Sequence, residues 1–244
     1  MKENKYDDEK FFQKYSQMTR SVKGLEGAGE WHELKKLLPN FQNKCVLDLG
    51  CGFGWHCEYA AQKGAKSVTG IDISKKMLEQ AKKKSKFNNI QYICQPIEEI
   101  EFEENSFDVV ISSLAFHYVK SFEAVCRKVN HCLSKDGTFV FSVEHPVFTA
   151  YGTQDWHYDE QGKKLHWPVD NYFEEGKREA VFLGEKVTKY HKTLTTYING
   201  LLMEGFEIIH LIEPQPEKSM MENNREMLEE LRRPMMLLLS AKKK

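Results

Sequence analysis

The sequence lacks a long apolar run and lacks an excess of charge of either sign. No stretch approaches the roughly 20 consecutive apolar residues of a membrane helix, and the polar start MKENKYDDEK has no apolar core of the secretory-signal kind. Lysine and arginine number 35, aspartate and glutamate 36, and the formal net charge is -1. Such a chain has no global field that would recruit nucleic acid or an anionic membrane surface. We therefore expect a cytoplasmic protein with no membrane and no nucleic acid among its partners.

The six cysteines lack the paired spacing of a structural metal site. No two of them form a C-x-x-C pair, and most lie within apolar patterns, as reduced buried thiols do. We expect no disulfide and no zinc site. Internal repeats are also absent, and 244 residues with 41% hydrophobic content can form one sizeable core. The prediction is a single domain over residues 1–244.

Short apolar runs alternate with helical periodicity between residues 31 and 144, which is typical of β-α-β units and a parallel sheet. Strands are predicted, in chain order, at residues 45–49, 67–72, 90–94, 107–112 and 138–143. Two later strands, at 206–212 and 235–240, complete a sheet of seven. The predicted fold class is therefore α/β, with a doubly wound, mostly parallel seven-stranded sheet. The terminal AKKK is expected to be a solvated tail.

Two segments flank this pattern. Residues 146–190 are rich in tryptophan, tyrosine, glycine and charge, have no clear period, and are too long for an ordinary loop. We interpret them as an insertion after the fifth strand that forms a lid over a substrate site. Their aromatic side chains fit two roles equally, the wall of an apolar pocket or the small core of the lid itself. Residues 1–40 are interpreted as a helical cap.

A glycine-rich turn follows the first predicted strand. The run VLDLGCGFGWH, residues 46–56, places Gly50, Gly52 and Gly54 at alternate positions, and glycine lets a backbone approach a ligand closely. Asp72 ends the next strand 20 positions after Gly52, the spacing at which a carboxylate reaches both hydroxyls of a ribose. A tight turn alone has a purely steric explanation, but a carboxylate in an apolar stretch is costly without a partner. Together these features predict a cofactor that contains a nucleoside.

The turn differs from the dinucleotide-binding fingerprint, which requires glycine where this chain has Trp55. A nicotinamide dehydrogenase is therefore disfavoured. Instead, VLDLGCGFG resembles the D-x-G-x-G-x-G motif of the class I S-adenosylmethionine-dependent methyltransferases, and GIDIS resembles the end of their second strand. FDVVISSLAFHYV is similar to their fourth-strand segment and LSKDGTFVFSVEHP to their fifth strand. Within this superfamily the resemblance is greatest to the small-molecule branch near the ubiquinone and menaquinone C-methyltransferases.

The resemblance implies a Rossmann-like methyltransferase fold, S-adenosyl-L-methionine as the cofactor, and a set of cofactor-binding residues. Asp72 would hold the ribose, while Asp48 would fix the turn and the cofactor's amino group. Ile73 and Met77 would pack on the adenine. The methionine part would lie along the glycine turn and the end of the fourth strand, at Gly50, Cys51, Gly52, Gly54, Ser113 and Leu114.

The adenine contact departs from the family pattern. Many relatives have an acid that accepts from the adenine amino group, but CQPIEEI places Pro96 there and Ile97 after it, which leaves Gln95 or Glu98 as substitutes. In the leading helices, Arg20 could pair with the cofactor's carboxylate and Tyr15 could place a ring beside the sulfonium. Both also fit the role of ordinary surface-helix residues.

Methyl transfer from a sulfonium is an in-line displacement that needs alignment more than a metal or a covalent intermediate. Alignment can supply about 7 to 11 kcal/mol, whereas one general base contributes about 10² to 10⁴ in rate. A base is needed if the attacking atom is a hydroxyl oxygen or an acidic carbon, and the candidates are His117, His145 and His191. Each of the three also fits a structural role.

The sequence thus predicts an S-adenosylmethionine-dependent methyltransferase that acts on a small-molecule acceptor and binds no metal. An RNA or protein methyltransferase is the alternative, and it would normally show a basic groove or a recognition domain. A protein that binds S-adenosylmethionine without transferring methyl is a third reading. The lysines between residues 75 and 86 are interpreted as the solvated face of a helix. A homodimer is compatible with this prediction.

Overall fold

The structure is a computed structural model that describes residues 4–223 and 225–244. The strands are β1 Cys45–Leu49, β2 Ser67–Asp72, β3 Ile90–Cys94, β4 Phe107–Ser113, β5 Leu133–Glu144, β6 His157–Tyr158, β7 Lys164–His166, β8 Gly176–Phe182, β9 Glu185–His191, β10 Phe206–Ile212 and β11 Met236–Lys243. The helices are α1 Glu9–Ser16, α2 Thr19–Lys23, α3 Trp31–Leu37, α4 Trp55–Gln62, α5 Lys75–Lys84, α6 Phe122–Cys132, α7 Pro146–Thr149, α8 Leu194–Met203 and α9 Lys218–Asn223. Short 3₁₀ segments span Lys5–Asp7, Gly24–Gly27, Ile97–Glu99, Phe116–Tyr118 and Arg225–Arg232.

A seven-stranded sheet in the order β3-β2-β1-β4-β5-β11-β10 forms the centre of the molecule. β11 runs antiparallel to both of its neighbours, and the remaining pairs are parallel. The predicted fold class is therefore confirmed. The expectation of a solvated AKKK tail was wrong, because Ala241 is fully buried and pairs with Phe139 on one side and Ile208 on the other.

Helices cover both faces of this sheet, and adjacent residues of one strand pack on opposite sides. In β4, Val110 packs in the cluster that contains α6 and α8, whereas Val109 and Ile111 pack against α4 and α5. In β5, Val140 packs against α3. A strand buried on both faces needs a nearly continuous apolar run, which is why DVVIS and TFVFSV were recognisable in the sequence.

The insertion consists of α7 and two antiparallel hairpins, β6–β7 and β8–β9. Its first part has its own aromatic packing, in which Phe148 and Trp167 stack with ring centroids 4.8 Å apart and the Arg233 guanidinium lies 4.3 Å from the Trp167 ring. Its second hairpin packs on the amino-terminal segment, where Val187 contacts a cluster built around Phe11. Aromatic residues of the insertion therefore form small cores.

All six cysteines are free thiols. Among residues 4–223 and 225–244, no helix combines the length and the apolar character that crossing a membrane requires.

We expect Phe122→Ala to destabilise the fold strongly. Phe122 is fully buried, and its ring lies 4.9 Å from that of Tyr197 and 5.4 Å from that of Phe141. The loss of so many contacts should lower the free energy of unfolding by about 3–5 kcal/mol, measured by urea denaturation. Phe173→Ala is the matched control, since that ring is 90% exposed. Equal effects of the two substitutions would contradict this description of the core.

Candidate functional site

A cavity of about 170 Å³ opens at the carboxyl ends of β1, β2, β4 and β5. The turns that follow these strands form its floor, and the amino-terminal segment forms its roof through Tyr6, Tyr15 and Arg20. Asp7 fastens that segment to α5, because its Oδ1 accepts hydrogen bonds from Ser74 Oγ at 2.6 Å and from the Lys76 amide at 3.1 Å. The cavity lies where open α/β sheets bind their ligands.

The backbone geometry of the turn after β1 accounts for its glycines. Gly50, Gly52 and Gly54 all have positive φ, at +77°, +53° and +75°. A Cβ on Gly50 would collide with Ala115, and one on Gly54 would collide with the Tyr92 hydroxyl, so two of the glycines are needed for close packing. A Cβ on Gly52 would meet nothing within 4 Å. The backbone at Gly52 therefore faces the open cavity.

Asp72 joins the glycine turn to the start of the next crossover. Its Oδ2 accepts from the Gly52 amide and its Oδ1 from the Ser74 amide, both at 2.8 Å. Burial raises the pKa of this carboxyl to about 6, although the two amide hydrogen bonds favour the ionised form. Each oxygen keeps one further lone pair, so the carboxylate can accept two more donors from the cavity.

A buried ion pair lies beside the turn. Arg20 Nη2 is 2.8 Å from Glu30 Oε1, and Ser113 Oγ donates to the same oxygen at 3.1 Å. Burial acts to raise the pKa of Glu30, but Arg20 outweighs it and the pKa is lowered. Two buried polar atoms here have no hydrogen-bond partner, Glu30 Oε2 and His56 Nε2. His56 lines the cavity, whereas Glu30 lies behind Arg20 and Ser113, which line it. A buried polar atom without a partner is costly unless a ligand satisfies it.

Three tyrosines that line the cavity contact one another. The hydroxyls of Tyr6 and Tyr118 are hydrogen bonded at 3.0 Å, and the Tyr6 ring lies edge-on to Tyr15 at 5.2 Å. All three side chains line the cavity.

His117 and Glu144 line the cavity where β4 and β5 end. His117 is 3% exposed and occupies the turn after β4, and its Nδ1 accepts from the Glu144 amide at 3.4 Å. Burial lowers the pKa of His117 to about 3, so the ring is neutral at pH 7. Because Nδ1 is an acceptor in this hydrogen bond, we assign the ring proton to Nε2, which lies 4.0 Å from Glu144 Oε1.

A closed ring of hydrogen bonds ties the insertion to Glu144. Lys189 Nζ donates to Glu144 Oε1 at 2.5 Å and to Gln154 Oε1 at 2.7 Å, while Gln154 Nε2 donates to Glu144 Oε2 at 2.7 Å. Burial raises the pKa of Glu144, but the nearby His117 and Lys189 outweigh it, and the pKa is lowered. Within the part of the chain that the structure describes, no residue of the insertion lines the cavity. The insertion supports the wall from behind.

Two of the three predicted histidines lie outside the cavity. His145 caps α7 by accepting from the Val147 amide at 3.0 Å, and its Nε2 lies 2.9 Å from Glu213. His191 is fully buried between Thr149 Oγ1, at 2.7 Å, and the Tyr172 carbonyl oxygen, at 2.9 Å. Both nitrogens of the His191 ring have hydrogen-bond partners, and His145 has one at Nδ1 and the Glu213 carboxylate beside Nε2. A catalytic role for His145 or His191 stays a prediction.

Three of the predicted cofactor-binding residues do not line the cavity. Asp48 points towards α4, where its Oδ2 accepts from the Cys57 thiol at 3.3 Å and burial raises its pKa to about 7. Gln95 donates to the Glu99 carbonyl oxygen at 2.7 Å, and Gly54 packs on Tyr92. The residues that do line it are Tyr15, Arg20, Gly50, Cys51, Gly52, Asp72, Ile73, Met77, Pro96, Ile97, Ser113 and Leu114.

Sequence reasoning missed Glu30, Tyr6 and Tyr118 as site residues, and it pointed to Glu144 only through its place at the end of β5. Glu30 directly precedes a short amphipathic helix, where an acid looks like an ordinary helix start. Tyr6 lies in a polar segment that carries no motif. Only the end of β5 offered a signal, since Glu144 follows a buried strand at the ligand edge.

Comparison with known proteins decides the family. A model of a methyltransferase domain matches residues 47–141, from β1 to β5. A solved structure from Listeria monocytogenes, provisionally assigned as an S-adenosylmethionine-dependent methyltransferase, is 57% identical with a TM-score of 0.86, and the match covers 91% of this chain and 99% of the other. The chain belongs to the S-adenosylmethionine-dependent methyltransferases. The predicted family and its cofactor, S-adenosyl-L-methionine, are confirmed.

Three other relatives of this methyltransferase carry different names. A solved S-adenosylmethionine-dependent methyltransferase from Mesorhizobium loti is 40% identical, with a TM-score of 0.84 over 90% of this chain and 100% of the other. A ubiquinone biosynthesis O-methyltransferase from Neisseria meningitidis is 32% identical over 64% of this chain and 78% of its own. A malonyl-[acyl-carrier protein] O-methyltransferase from Bacillus anthracis is 31% identical over 54% of this chain, which spans about half (48%) of that relative.

The cavity of this methyltransferase fits the cofactor. Gly52 faces open space, Asp72 has unused lone pairs, and His56, which lines the cavity, has its Nε2 buried without a partner. A nucleoside with a charged amino-acid tail offers hydroxyls and an ammonium to such acceptors.

We expect His191→Phe to destabilise the fold and to leave cofactor binding intact. The substitution keeps a ring but removes the partner of Thr149 Oγ1 and of the Tyr172 carbonyl, which should cost about 1–3 kcal/mol of unfolding free energy. The affinity for S-adenosylhomocysteine, measured by calorimetry, should stay within about twofold of the wild type because the ring lies outside the cavity. His157→Phe, on an exposed hairpin, is the matched control. Loss of cofactor affinity without loss of stability would contradict the structural role.

Proposed function

We propose that this methyltransferase transfers the methyl group of S-adenosyl-L-methionine to a small-molecule acceptor by in-line displacement. The observation that carries the proposal is one cavity lined both by the glycine turn and Asp72, after β1 and β2, and by His117 and Glu144, after β4 and β5. A donor held by the first set would lie next to an acceptor held by the second. The ubiquinone biosynthesis O-methyltransferase among the relatives supports a small acceptor.

We assign cofactor-binding roles from the contacts that each residue can offer. Asp72 would accept from the two ribose hydroxyls with its unused lone pairs. Arg20 would hold the carboxylate of the methionyl tail, because it is a cation that lines the cavity. Glu30, directly behind Arg20, would hold the ammonium with its buried, incompletely paired carboxylate. The adenine would lie between apolar side chains of the turns after β2 and β3, namely Ile73, Met77, Pro96 and Ile97.

The bound cofactor supplies an electrophilic methyl group on a positively charged sulfur. The protein's contribution is to hold the acceptor in line and to exclude water, which Tyr6 and Tyr15 do by roofing the cavity. The charged side chains that line the cavity are three carboxylates, Asp72, Glu98 and Glu144, and one guanidinium, Arg20. This balance favours a cationic donor.

The same charges weigh against nucleic acid as the acceptor. An RNA methyltransferase needs cations along the path of the phosphates. Here most of the charged side chains that line the cavity are carboxylates, and the chain carries a net charge of -1. We also propose that residues 146–190 act as a lid, through the hydrogen bonds that Gln154 and Lys189 make with Glu144.

The Asp72 assignment predicts a pH dependence of cofactor affinity. Only the ionised carboxylate can accept two hydroxyls, and its pKa is about 6, so affinity should fall as pH falls. Between pH 7 and pH 5 the dissociation constant of S-adenosylhomocysteine should rise on the order of tenfold, measured by calorimetry in wild-type protein. Asp72→Asn should bind at least about tenfold more weakly at pH 7 and lose the pH step.

Asp108→Asn is the matched control, since Asp108 accepts from the Cys45 amide at the opposite end of β1. Unchanged affinity in Asp72→Asn would refute the ribose assignment. Binding of NAD in place of S-adenosylmethionine would refute the proposed function itself.

The acceptor class is tested by incubating the protein with methyl-tritiated S-adenosylmethionine and separate pools of metabolites, total RNA and denatured protein. We expect label in the metabolite pool alone. Label in RNA or protein would favour the alternative acceptors, and cofactor binding with no labelled pool would favour a non-catalytic binding protein.

A further inference from the structure

The acceptor end of the cavity presents one hydrogen-bond donor beside one acceptor. His117 Nε2 and Glu144 Oε1 are 4.0 Å apart, which is too far for a hydrogen bond between them. Both residues line the cavity, and the two side chains are 3% and 13% exposed. The two groups are therefore not hydrogen bonded to each other, and both face the space where an acceptor would lie.

Hydrogen-bond counting defines what this pair can bind. His117 Nδ1 is occupied by the Glu144 amide, so the neutral ring offers only its Nε2–H, as a donor. Glu144 uses one lone pair on Oε1 for Lys189 and one on Oε2 for Gln154. One lone pair remains on each carboxylate oxygen, so Glu144 offers only acceptors.

We propose that the His117–Glu144 pair selects a hydroxyl group as the atom to be methylated, an inference that rests on the proposed function. A hydroxyl donates its proton to Glu144 and accepts from His117 Nε2–H with one lone pair, and its second lone pair remains free for the methyl group. A neutral amine has a single lone pair and cannot satisfy His117 while it attacks. A carboxylate accepts from His117 but has no proton for Glu144, and the two like charges repel.

The transfer balances with these groups alone. The free lone pair of the hydroxyl oxygen forms the new O–C bond while the C–S bond breaks and its electron pair stays on sulfur. The hydroxyl proton passes to Glu144 and from there to water. The carboxylate also stabilises the positive charge that develops on the attacking oxygen.

The insertion holds the pair at its separation. Lys189 and Gln154 donate hydrogen bonds to the two carboxylate oxygens of Glu144. Lys192, just after the insertion, donates from Nζ to the carbonyl oxygens of Phe116, at 3.3 Å, and Val119, at 2.6 Å, on either side of His117. Lys189 and Lys192 do not line the cavity, so a bound acceptor faces the carboxylate and not its counterion. Lys189, Gln154 and Lys192 are thus positioning residues.

The test uses three probes that differ in one functional group on the same ring, namely phenol, aniline and benzoate. Each is titrated into wild-type protein saturated with S-adenosylhomocysteine, and binding is followed by NMR. We expect phenol to bind at least tenfold more tightly than aniline or benzoate. Equal binding of aniline or of benzoate would overturn the proposal. No detectable binding of phenol at 10 mM, about the weakest affinity expected for such a fragment, would also overturn it.

Glu144→Gln should weaken phenol binding at least tenfold and reduce its preference over benzoate, with S-adenosylhomocysteine affinity within twofold of the wild type. Glu213→Gln is the matched control, since that carboxylate pairs with His145 outside the cavity. Phenol binding that does not change in Glu144→Gln would also overturn the proposal. If loss of the buried charge unfolds the protein, the Glu144→Gln, Lys189→Met double variant leaves neither charge unpaired and answers the same question.

The two proposals fail in distinguishable ways. Failure of S-adenosylhomocysteine to bind contradicts the proposed function. Normal binding of that ligand, without a preference for phenol, contradicts only the selection of a hydroxyl.

Discussion

The carboxylate of Asp72 is the constraint on which the site depends. It accepts from Gly52 in the first crossover and from Ser74 in the second, and so fixes two adjacent turns relative to each other. The cost of burying this charge is visible in its raised pKa, and the two amide hydrogen bonds offset that cost only in part. A site that keeps a partly compensated carboxylate gains a strong acceptor for ligand hydroxyls. The glycines of the first turn allow the backbone to come close enough to make this arrangement.

Two buried ion pairs lie beside the cavity. Arg20 pairs with Glu30 near the glycine turn, and Lys189 pairs with Glu144 at the end of β5. Arg20 and Glu30 both come from the amino-terminal segment, and Lys189 comes from the insertion. The sheet therefore supplies the common floor, while the added segments determine the charge and shape of the walls. This division agrees with relatives that share the fold and are named for different acceptors.

Local patterns predicted most of the sheet, and long-range contacts account for what was missed. Runs such as DVVIS are apolar because both faces are buried, and that burial is legible in sequence. The start of β5 at Leu133 was missed because SKDG reads as a turn, although the chain there already pairs with β4. The orientation of the histidine rings could not be predicted. Spacing places His117, His145 and His191 near the ligand edge but does not say which way each ring points. Tyr6 and Glu30 were missed because their place depends on docking of the amino-terminal segment through Asp7.

That docking has a kinetic consequence. A molecule held between the glycine turn and Glu144 lies under Tyr6 and Tyr15 of the amino-terminal segment. Asp7 of that segment accepts hydrogen bonds from Ser74 and Lys76. Exchange of cofactor on that side of the cavity requires the hydrogen bonds of Asp7 to Ser74 and Lys76 to break, and opening of such a segment is a step that can limit turnover. A roof that excludes water well thereby also slows the exchange of what it covers.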